Sequence, residues 1–427
     1  METVVNGNQT ELADAASPQP GLTARRLETM IAVLLVGVAL AAPAWTKAAV
    51  LLFRVALLLW LLRMLTPPRP RLRPLAISKP LLLYILLAAF SCFFSLEPAL
   101  SWARMRTVSL FLLALLVAAN LNEERWLKRL IAALLASSLV TAVFTAWRSF
   151  AAGPAHDGMP RRAAGFFGNY IPFSELLMLV AAFAWGLLLA ALISRQRKQA
   201  TWLLLVLLPI ASVLIITGTR AAVAALLVGI LFTIWLRGAW RWRVIAAAAA
   251  VLIIALGSVW YRYARHGQGW LSVNDPGTQY RLLMWQDGAR LALQHPLTGI
   301  GMDSVERHGH ELGIRAYERY PNLKSHFHST PIQIAAESGL LALAAWIWLM
   351  AACFSAPLAL LRRDSQPSVF ASGCALGILA ALVAFNALSL VHYIAGDAEV
   401  MIVFWLLVGV AASLRSGAGS ITRNSTS

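Results

Sequence analysis

The chain has 427 residues, of which 59% are hydrophobic and only 13% are charged, and its mean hydropathy is +0.69. Soluble domains carry about 25% charged residues, so this composition excludes an ordinary soluble enzyme and indicates a polytopic membrane protein. The net charge of +17 does not by itself indicate nucleic-acid binding, because basic residues between apolar spans more often follow the positive-inside rule. All three cysteines fall in apolar runs, which excludes a disulfide framework and a cysteine-based zinc site.

We predict an all-α protein with about 12 transmembrane helices, since a bilayer core requires roughly 17–25 mostly apolar residues per helix. Arg54 interrupts the second span, and only the short hairpin 217–220 separates the seventh from the eighth. The predicted spans are 29–46, 48–65, 80–96, 103–121, 130–148, 171–194, 200–218, 220–236, 244–261, 332–361, 368–391 and 398–414.

The distribution of basic residues predicts the orientation of these spans. With the N-terminus inside, the cytoplasmic segments hold 20 of the 36 Lys and Arg residues and the short external loops hold 7. Both termini are therefore expected in the cytoplasm. The predicted organisation is a polar tail at 1–27, nine spans with a small external loop at 149–170 in 28–261, a large helical external loop at 262–331, three spans in 332–414, and a second tail at 415–427.

Most side chains that could take part in catalysis or binding fall on the external side of this map, including all eight histidines. The basic residues found there run against the orientation bias, which makes them candidates for anion binding. Arg220 opens the eighth span at the outer boundary. It is either an interfacial arginine that extends its head group to water, or an arginine beside a helix N-terminus, where a phosphate binds well.

The large loop contains a predicted helix at 279–294, which ends before Pro296. Leu282, Trp285, Ala289 and Leu293 recur at helical spacing and are expected to form its buried or membrane-facing side. Without further context, Arg281 on this helix is a solvated charge. A second short helix is expected to start at the Asp-x-x-Glu pattern of residues 303–306.

Two His-x-His pairs lie in the same loop, His308 with His310 and His326 with His328. This spacing permits zinc or another metal, although it does not match the spacing of a known metal motif. A neutral imidazole is equally suited to act as a general base at an aqueous face. For His308 and His310 the default interpretation is hydrogen bonding within the loop.

Four segments, in the right order between about 160 and 400, resemble motifs of the O-antigen ligase superfamily. Residues 324–339, KSHFHSTPIQIAAESG, are similar to its His-Asn/Ser-x9-Gly motif, with His328, Ser329 and Gly339 in register. Residues 295–301, HPLTGIG, resemble its PltGiG turn, 217–220, TGTR, its Thr-Gly-Ser-Arg hairpin, and 162–169, RAAGFFGN, its small-loop motif. Ser329 stands where many relatives have Asn, and Ala342 where a second Gly is common.

The resemblance implies a membrane glycosyltransferase of the type C class that works without a metal or another cofactor at the periplasmic face of the bacterial inner membrane. Its donor would be a glycan on undecaprenyl diphosphate and its acceptor lipid A–core, with no nucleic-acid partner. In this interpretation His328 is the general base, and Arg220 and Arg281 bind the diphosphate. The expected supporting residues are Arg161, Arg162, His326 and Asp397.

Other activities remain open at the level of sequence. Within the same superfamily they are an O-antigen polymerase, which uses a second lipid-linked glycan as acceptor, and a protein O-oligosaccharyltransferase. From a different class, a transporter of lipid-linked glycans is compatible with twelve spans and an intramembrane Arg54. However, transporters place their sites near the midplane and often in repeated halves, whereas here the polar residues gather on one face and no repeat is visible.

Overall fold

The computed structural model describes residues 21–70, 74–153, 162–237, 239–264, 276–321, 323, 325–362 and 368–424. Within these ranges every regular element is helical, which confirms the all-α prediction. The first half contains α1 (Leu22–Ala41), α2 (Thr46–Leu65), α3 (Ser78–Phe93), α4 (Pro98–Val108), α5 (Leu112–Asn120), α6 (Glu124–Ala151), α7 (Tyr170–Ile193), α8 (Arg197–Ile216) and α9 (Arg220–Arg237). The second half contains α10 (Trp240–Ala264), α11 (Pro276–Gln294), α12 (Ser304–His308), α13 (Arg315–Arg319), α14 (Thr330–Ser338), α15 (Leu340–Cys353), α16 (Ser355–Leu361), α17 (Val369–Ser389) and α18 (Ala398–Asn424).

Among the described residues, nine helical segments are long and apolar enough to cross a membrane. The protein is therefore a polytopic membrane protein. Helix α3 is apolar but shorter, and α1 and α10 lie where two further spans are predicted. The nine segments are α2, α4 with α5 (Pro98–Asn120), α6, α7, α8, α9, α15 with α16 (Leu340–Leu361), α17, and the Ala398–Ser416 part of α18.

Helices α7 and α17 form the centre of the bundle and pack closely on each other. Their closest approach lies between Gly186 and Gly377, where a Cβ on either residue would overlap the backbone of the partner helix. Small residues allow such contacts in membranes, where helix association depends on van der Waals packing. The centre is therefore apolar and closely packed, and it anchors the ends of the helices that carry the polar groups.

The helices extend beyond the predicted spans. The N-terminal tail was predicted to reach residue 27, and α1 begins within it at Leu22; the C-terminal tail was predicted from 415, and α18 continues into it as far as Asn424, although its apolar span ends at Ser416. Each extra helical residue adds a backbone hydrogen bond, so helices propagate past the apolar span. The predicted span 332–361 is divided at Gly339, whose φ of 88° ends α14 and whose neighbour Leu340 donates its N–H to the Pro296 carbonyl at 2.7 Å.

The large loop forms a small domain with its own core around Met284, Leu291 and Tyr317. Helix α11 extends to Gln294 and α12 begins after Asp303, as predicted. The predicted side is not the one that packs inside the protein, since Leu282 and Leu293 are exposed whereas Met284 and Leu291 are buried; of the two predicted alternatives, buried or membrane-facing, only the first is excluded. The side that packs against α13 and α14 carries Gly288, where a Cβ would clash with Ile332.

Candidate functional site

The His326–His328 segment lies between Tyr320 and α14 and is held from two sides. The buried Phe327 donates its N–H to Gln333 Oε1 at 2.7 Å, and Trp285 Nε1 donates to the His328 carbonyl at 3.3 Å. The two imidazole rings consequently lie together, with centroids 4.5 Å apart. His328 has a φ of 51°, a conformation that non-glycine residues seldom adopt and that is found most often where function requires it.

Both imidazoles are neutral at neutral pH. Burial, followed by the nearby His326, Arg281 and His392, lowers the pKa of His328 to about 2. Burial, His392, Arg104 and Arg281 likewise lower the pKa of His326 to about 4. A neutral imidazole has one nitrogen that can accept a proton, so the pair carries the group that a general base requires.

Arg281 on α11 belongs to this group of residues. It is half-buried, and its charge contributes to the lowered pKa of His326, His328 and His392. Half-burial and a charge that acts on all three imidazoles are not what a fully solvated helix charge would show, so they favour a place for Arg281 in the site.

A second buried pair, His392 with Glu175, supports the His328 segment. His392 Nδ1 and Glu175 Oε1 are 2.8 Å apart, and both side chains are buried. The His392 carbonyl accepts the N–H and the hydroxyl of Thr330, each at 3.1 Å, and thus fixes the start of α14 two residues after His328. Neither residue of the pair was among the predicted site residues, although an acid such as Glu175 within a long apolar span is a recognised signal of function.

Asp397, a predicted supporting residue, lies in the same region. Burial, followed by Glu175 and Glu399, raises its pKa well above the ordinary value. Asp397 and His326 line one common cavity, so the structure brings these two predicted residues together.

That cavity has a volume of about 120 Å³ and is mostly polar. One wall is Arg104, whose Nη2 donates to the Gly396 carbonyl at 2.9 Å and whose Nε lies 3.4 Å from Asp303 Oδ1. Glu337 and Tyr393 contribute to the other walls. Arg104 was not among the predicted site residues. It is, however, one of the external basic residues that run against the orientation bias, and such residues are as a group candidates for anion binding.

On the far side of Arg104, a groove of about 580 Å³ opens between α2 and α4. Its walls combine apolar side chains such as Phe53 with Arg54 and Arg106. Arg104 and Asp303 line both the groove and the polar cavity, so the two spaces meet at this ion pair.

The predicted hairpin and the small loop form a second group of residues. The Arg162 guanidinium lies 4.5 Å from the centre of the Tyr170 ring and beside Gly218, and Ala163 donates its N–H to the Ile216 carbonyl at 3.5 Å. The partly buried Arg220 begins α9 directly after this turn. Arg161 lies outside the described residues.

Both groups lie at the same end of the bundle. Glu175, which contacts His392, is in the second turn of α7, and the loop before α7 bonds to the end of α8. The structure thus brings His326, His328, Arg281 and Asp397 into one group and places Arg162 and Arg220 in another at that end.

The contacts of the first His-x-His pair, His308 with His310, agree with its default interpretation as residues that stabilise the local structure. His308 Nδ1 lies 3.0 Å from Glu311 and its Nε2 3.4 Å from Glu97, and the Glu311 hydrogen bond is the main cause of a raised pKa. His310 packs edge-on against Tyr317. In the part of the chain that the structure describes, no three His, Cys, Asp or Glu side chains are grouped so that they could share a metal ion.

The fold and site together define a polytopic membrane protein, all-helical in its described residues, with the His326–His328 pair, the buried Glu175 and Glu337, and Asp397 at one end of the bundle. Residues 203–347 match the family model described as O-antigen ligase, which confirms the resemblance to that superfamily of ligases and polymerases. The match covers about a third of the chain, from α8 to α15, and includes Arg220, Arg281, His326 and His328. No curated protein gives a significant match to the chain.

Proposed function

We propose that this protein is an O-antigen ligase, which transfers a glycan from undecaprenyl diphosphate to lipid A–core. The observation that carries the proposal is the neutral His326–His328 pair beside Arg281, at one end of a membrane bundle and inside the segment that matches the family. A substrate on a membrane lipid accounts for a site at the end of a bundle, and a diphosphate leaving group accounts for an arginine beside the two imidazoles.

The proposed reaction is a single displacement with inversion at the anomeric carbon. His328 takes the proton of the acceptor hydroxyl as its oxygen attacks that carbon, and the bond from the carbon to the diphosphate oxygen breaks. The undecaprenyl diphosphate leaves with the electron pair of the broken bond. Arg281 and Arg220, with help from Arg162, stabilise the charge that develops on it and take the place of a divalent metal.

Donor binding itself adjusts His328 in this scheme. Arg281 contributes to lowering the pKa of the imidazole in the unliganded site. A diphosphate bound to Arg281 would offset that charge and raise the pKa of His328 from its low value, although burial, the main cause, would remain. The base would then be strongest when the donor is in place.

The groove between α2 and α4 supports a lipid-embedded substrate. It combines an apolar wall with Arg54 and Arg106, and it meets the polar cavity at Arg104. A lipid with an anionic head group fits such a lining. The segments that connect the helices at the end opposite to the site contain the excess of basic residues, which supports a periplasmic site and cytoplasmic termini in the inner membrane.

The test is reconstitution with an undecaprenyl diphosphate glycan and purified lipid A–core, with and without EDTA. The expected product is glycosylated lipid A–core that still forms in EDTA and is lost in His328→Ala. Longer lipid-linked glycan without that product would instead establish a polymerase, and labelling of a pilin-like protein an O-oligosaccharyltransferase. Movement of intact donor without transfer would establish a transporter. Loss of product in EDTA would contradict the metal-free mechanism.

A further inference from the structure

The polar cavity beside His326 is much larger than a water site. Its volume of about 120 Å³ compares with the roughly 10–15 Å³ that a single water needs. Arg104, Asp303, Gln333 and Glu337 line it together with His326 and Tyr393. The described residues that line it include neither His328 nor Arg281, so this space adjoins the proposed reaction centre and does not coincide with it.

Glu337 lacks one hydrogen bond that a buried carboxyl requires. Its side chain is buried, and among the described residues its Oε1 atom has no hydrogen-bond partner. Burial and the neighbouring Asp303 raise its pKa to about 8. At neutral pH it is mainly a carboxylic acid, which can donate one hydrogen bond and accept others, as a sugar hydroxyl also does. A buried polar atom without a hydrogen-bond partner is energetically costly and calls for an explanation. A ligand in the cavity would supply the missing hydrogen bond.

The other walls suit a sugar better than a diphosphate. Asp303 is held in a left-handed conformation, with φ of 59°, and by Arg104 at 3.4 Å. Tyr393 presents an aromatic ring 5.4 Å from the His326 ring. Aromatic faces offer apolar contact, and carboxyl groups bind hydroxyls. Glu337 is mainly protonated and Arg104 is paired with Asp303, so the cavity offers hydrogen-bonding groups and little unpaired positive charge, which favours a glycan without its diphosphate.

We infer that this cavity binds the terminal sugar of the acceptor, with Glu337 and Asp303 as hydrogen-bond partners of its hydroxyls. The inference rests on the proposed function. In an inverting displacement the acceptor approaches on the side opposite to the leaving diphosphate, so it requires a subsite separate from Arg281, which is not among the described residues that line this cavity. Glu337 and Asp303 are then specificity-determining residues for the acceptor.

The experiment measures KM for purified lipid A–core and, separately, for the undecaprenyl diphosphate glycan. Glu337→Met keeps the length of the side chain and removes its polar atoms, so the KM for lipid A–core should rise about 10- to 100-fold. The KM for the donor should stay within about twofold. Glu337→Gln, which retains a donor and an acceptor, should stay within about threefold of wild type in both constants.

Ser91→Ala is the matched control, because Ser91 Oγ donates to the Glu337 carbonyl at 2.7 Å from outside the cavity. If Ser91→Ala raised the acceptor KM as much as Glu337→Met, Glu337 would only support α14 and the inference would be overturned. A rise in donor KM, or a fall in kcat alone, would also overturn it. If Glu337→Met does not fold, Asp303→Gly, which removes the polar side chain and tolerates the left-handed backbone, must show the same rise in acceptor KM.

Direct binding of lipid A–core separates the two proposals. If wild-type protein neither binds nor glycosylates lipid A–core, the proposed function fails and the subsite fails with it. If wild-type protein does both, and the variants bind lipid A–core as tightly as wild type does, only the subsite is wrong. Weaker binding in Glu337→Met with unchanged donor binding supports both proposals.

Discussion

The centre of the bundle is closely packed and apolar, whereas its polar end contains buried ionisable groups, although the same helices contribute to both. At the α7–α17 contact every side chain is apolar or small, and the two backbones meet at Gly186 and Gly377. At the polar end, Glu337 Oε1 has no hydrogen-bond partner among the described residues, and His328 adopts a left-handed backbone conformation. The bundle centre therefore follows the rules of close packing, whereas these two departures from local rules lie in the proposed site.

The sharpest test of this contrast is His328→Ala. Removal of a general base should lower kcat by about 10²–10⁴-fold, while the melting temperature in detergent stays close to that of wild type. His308→Ala is the matched control, because His308 bonds to Glu97 and Glu311 outside the site. Near-native turnover in His328→Ala would rule out the general-base role.

The arginines come next in expected size. Arg220→Gln with Arg281→Gln should raise the KM for the donor about 10- to 100-fold through lost phosphate hydrogen bonds, without a comparable change for the acceptor. Arg319→Gln, an exposed arginine of α13, is the control. An unchanged donor KM in the double variant would remove both residues from diphosphate binding.

At the bundle centre, a substitution is expected to lower stability and to leave activity unchanged. Gly186→Ala places a Cβ against the Gly377 backbone and should lower the free energy of unfolding by about 1–3 kcal/mol, with kcat per folded molecule preserved. In Gly37→Ala of α1 the new Cβ meets the end of the Leu52 side chain at 3.3 Å, so this control should be milder. Thermal unfolding and turnover of the same samples provide both readouts; equal destabilisation by the two variants would contradict the α7–α17 interpretation.

The smallest effect is a dependence of stability on pH. His392 is buried, and burial, followed by the charge of Arg281, lowers its pKa to about 4. The unfolded chain binds this proton below about pH 6.5 and the folded protein does not, so His392 by itself lowers stability as pH drops from 6.5 towards 4, by about 1 kcal/mol per pH unit. His326 and His328 act in the same direction, whereas the raised pKa values of Glu337 and Asp397 act in the opposite one. The contribution of His392 is therefore read from unfolding curves of wild type and His392→Gln at pH 8, 6 and 5: the stability of the variant relative to wild type should increase as pH falls, and a difference that stays constant over this range would refute the prediction.

Much of the fold follows from local sequence, because spans and turns depend on residues that are near one another in the chain. The apolar run of α7, the hairpin that ends before Arg220 and the end of α11 before Pro296 were all predicted correctly. The division at Gly339 was missed because Leu340 bonds to the Pro296 carbonyl, about 40 residues away, and hydropathy carries no information on such a contact.

The sequence by itself determined the class of protein, the polar end and the identity of His328, Arg220 and Arg281 as candidates, since these depend on composition, charge bias and short motifs. Only the tertiary structure decided that Arg104, Glu175, Glu337 and His392 join the site. They come from α4, α7, α14 and the turn after α17, and although Arg104 and Glu175 each carry a local signal, nothing in the local sequence shows that the four lie together. Their environment arises from burial and from partners such as Asp303, which lies 199 residues from Arg104 along the chain but 3.4 Å from it in space.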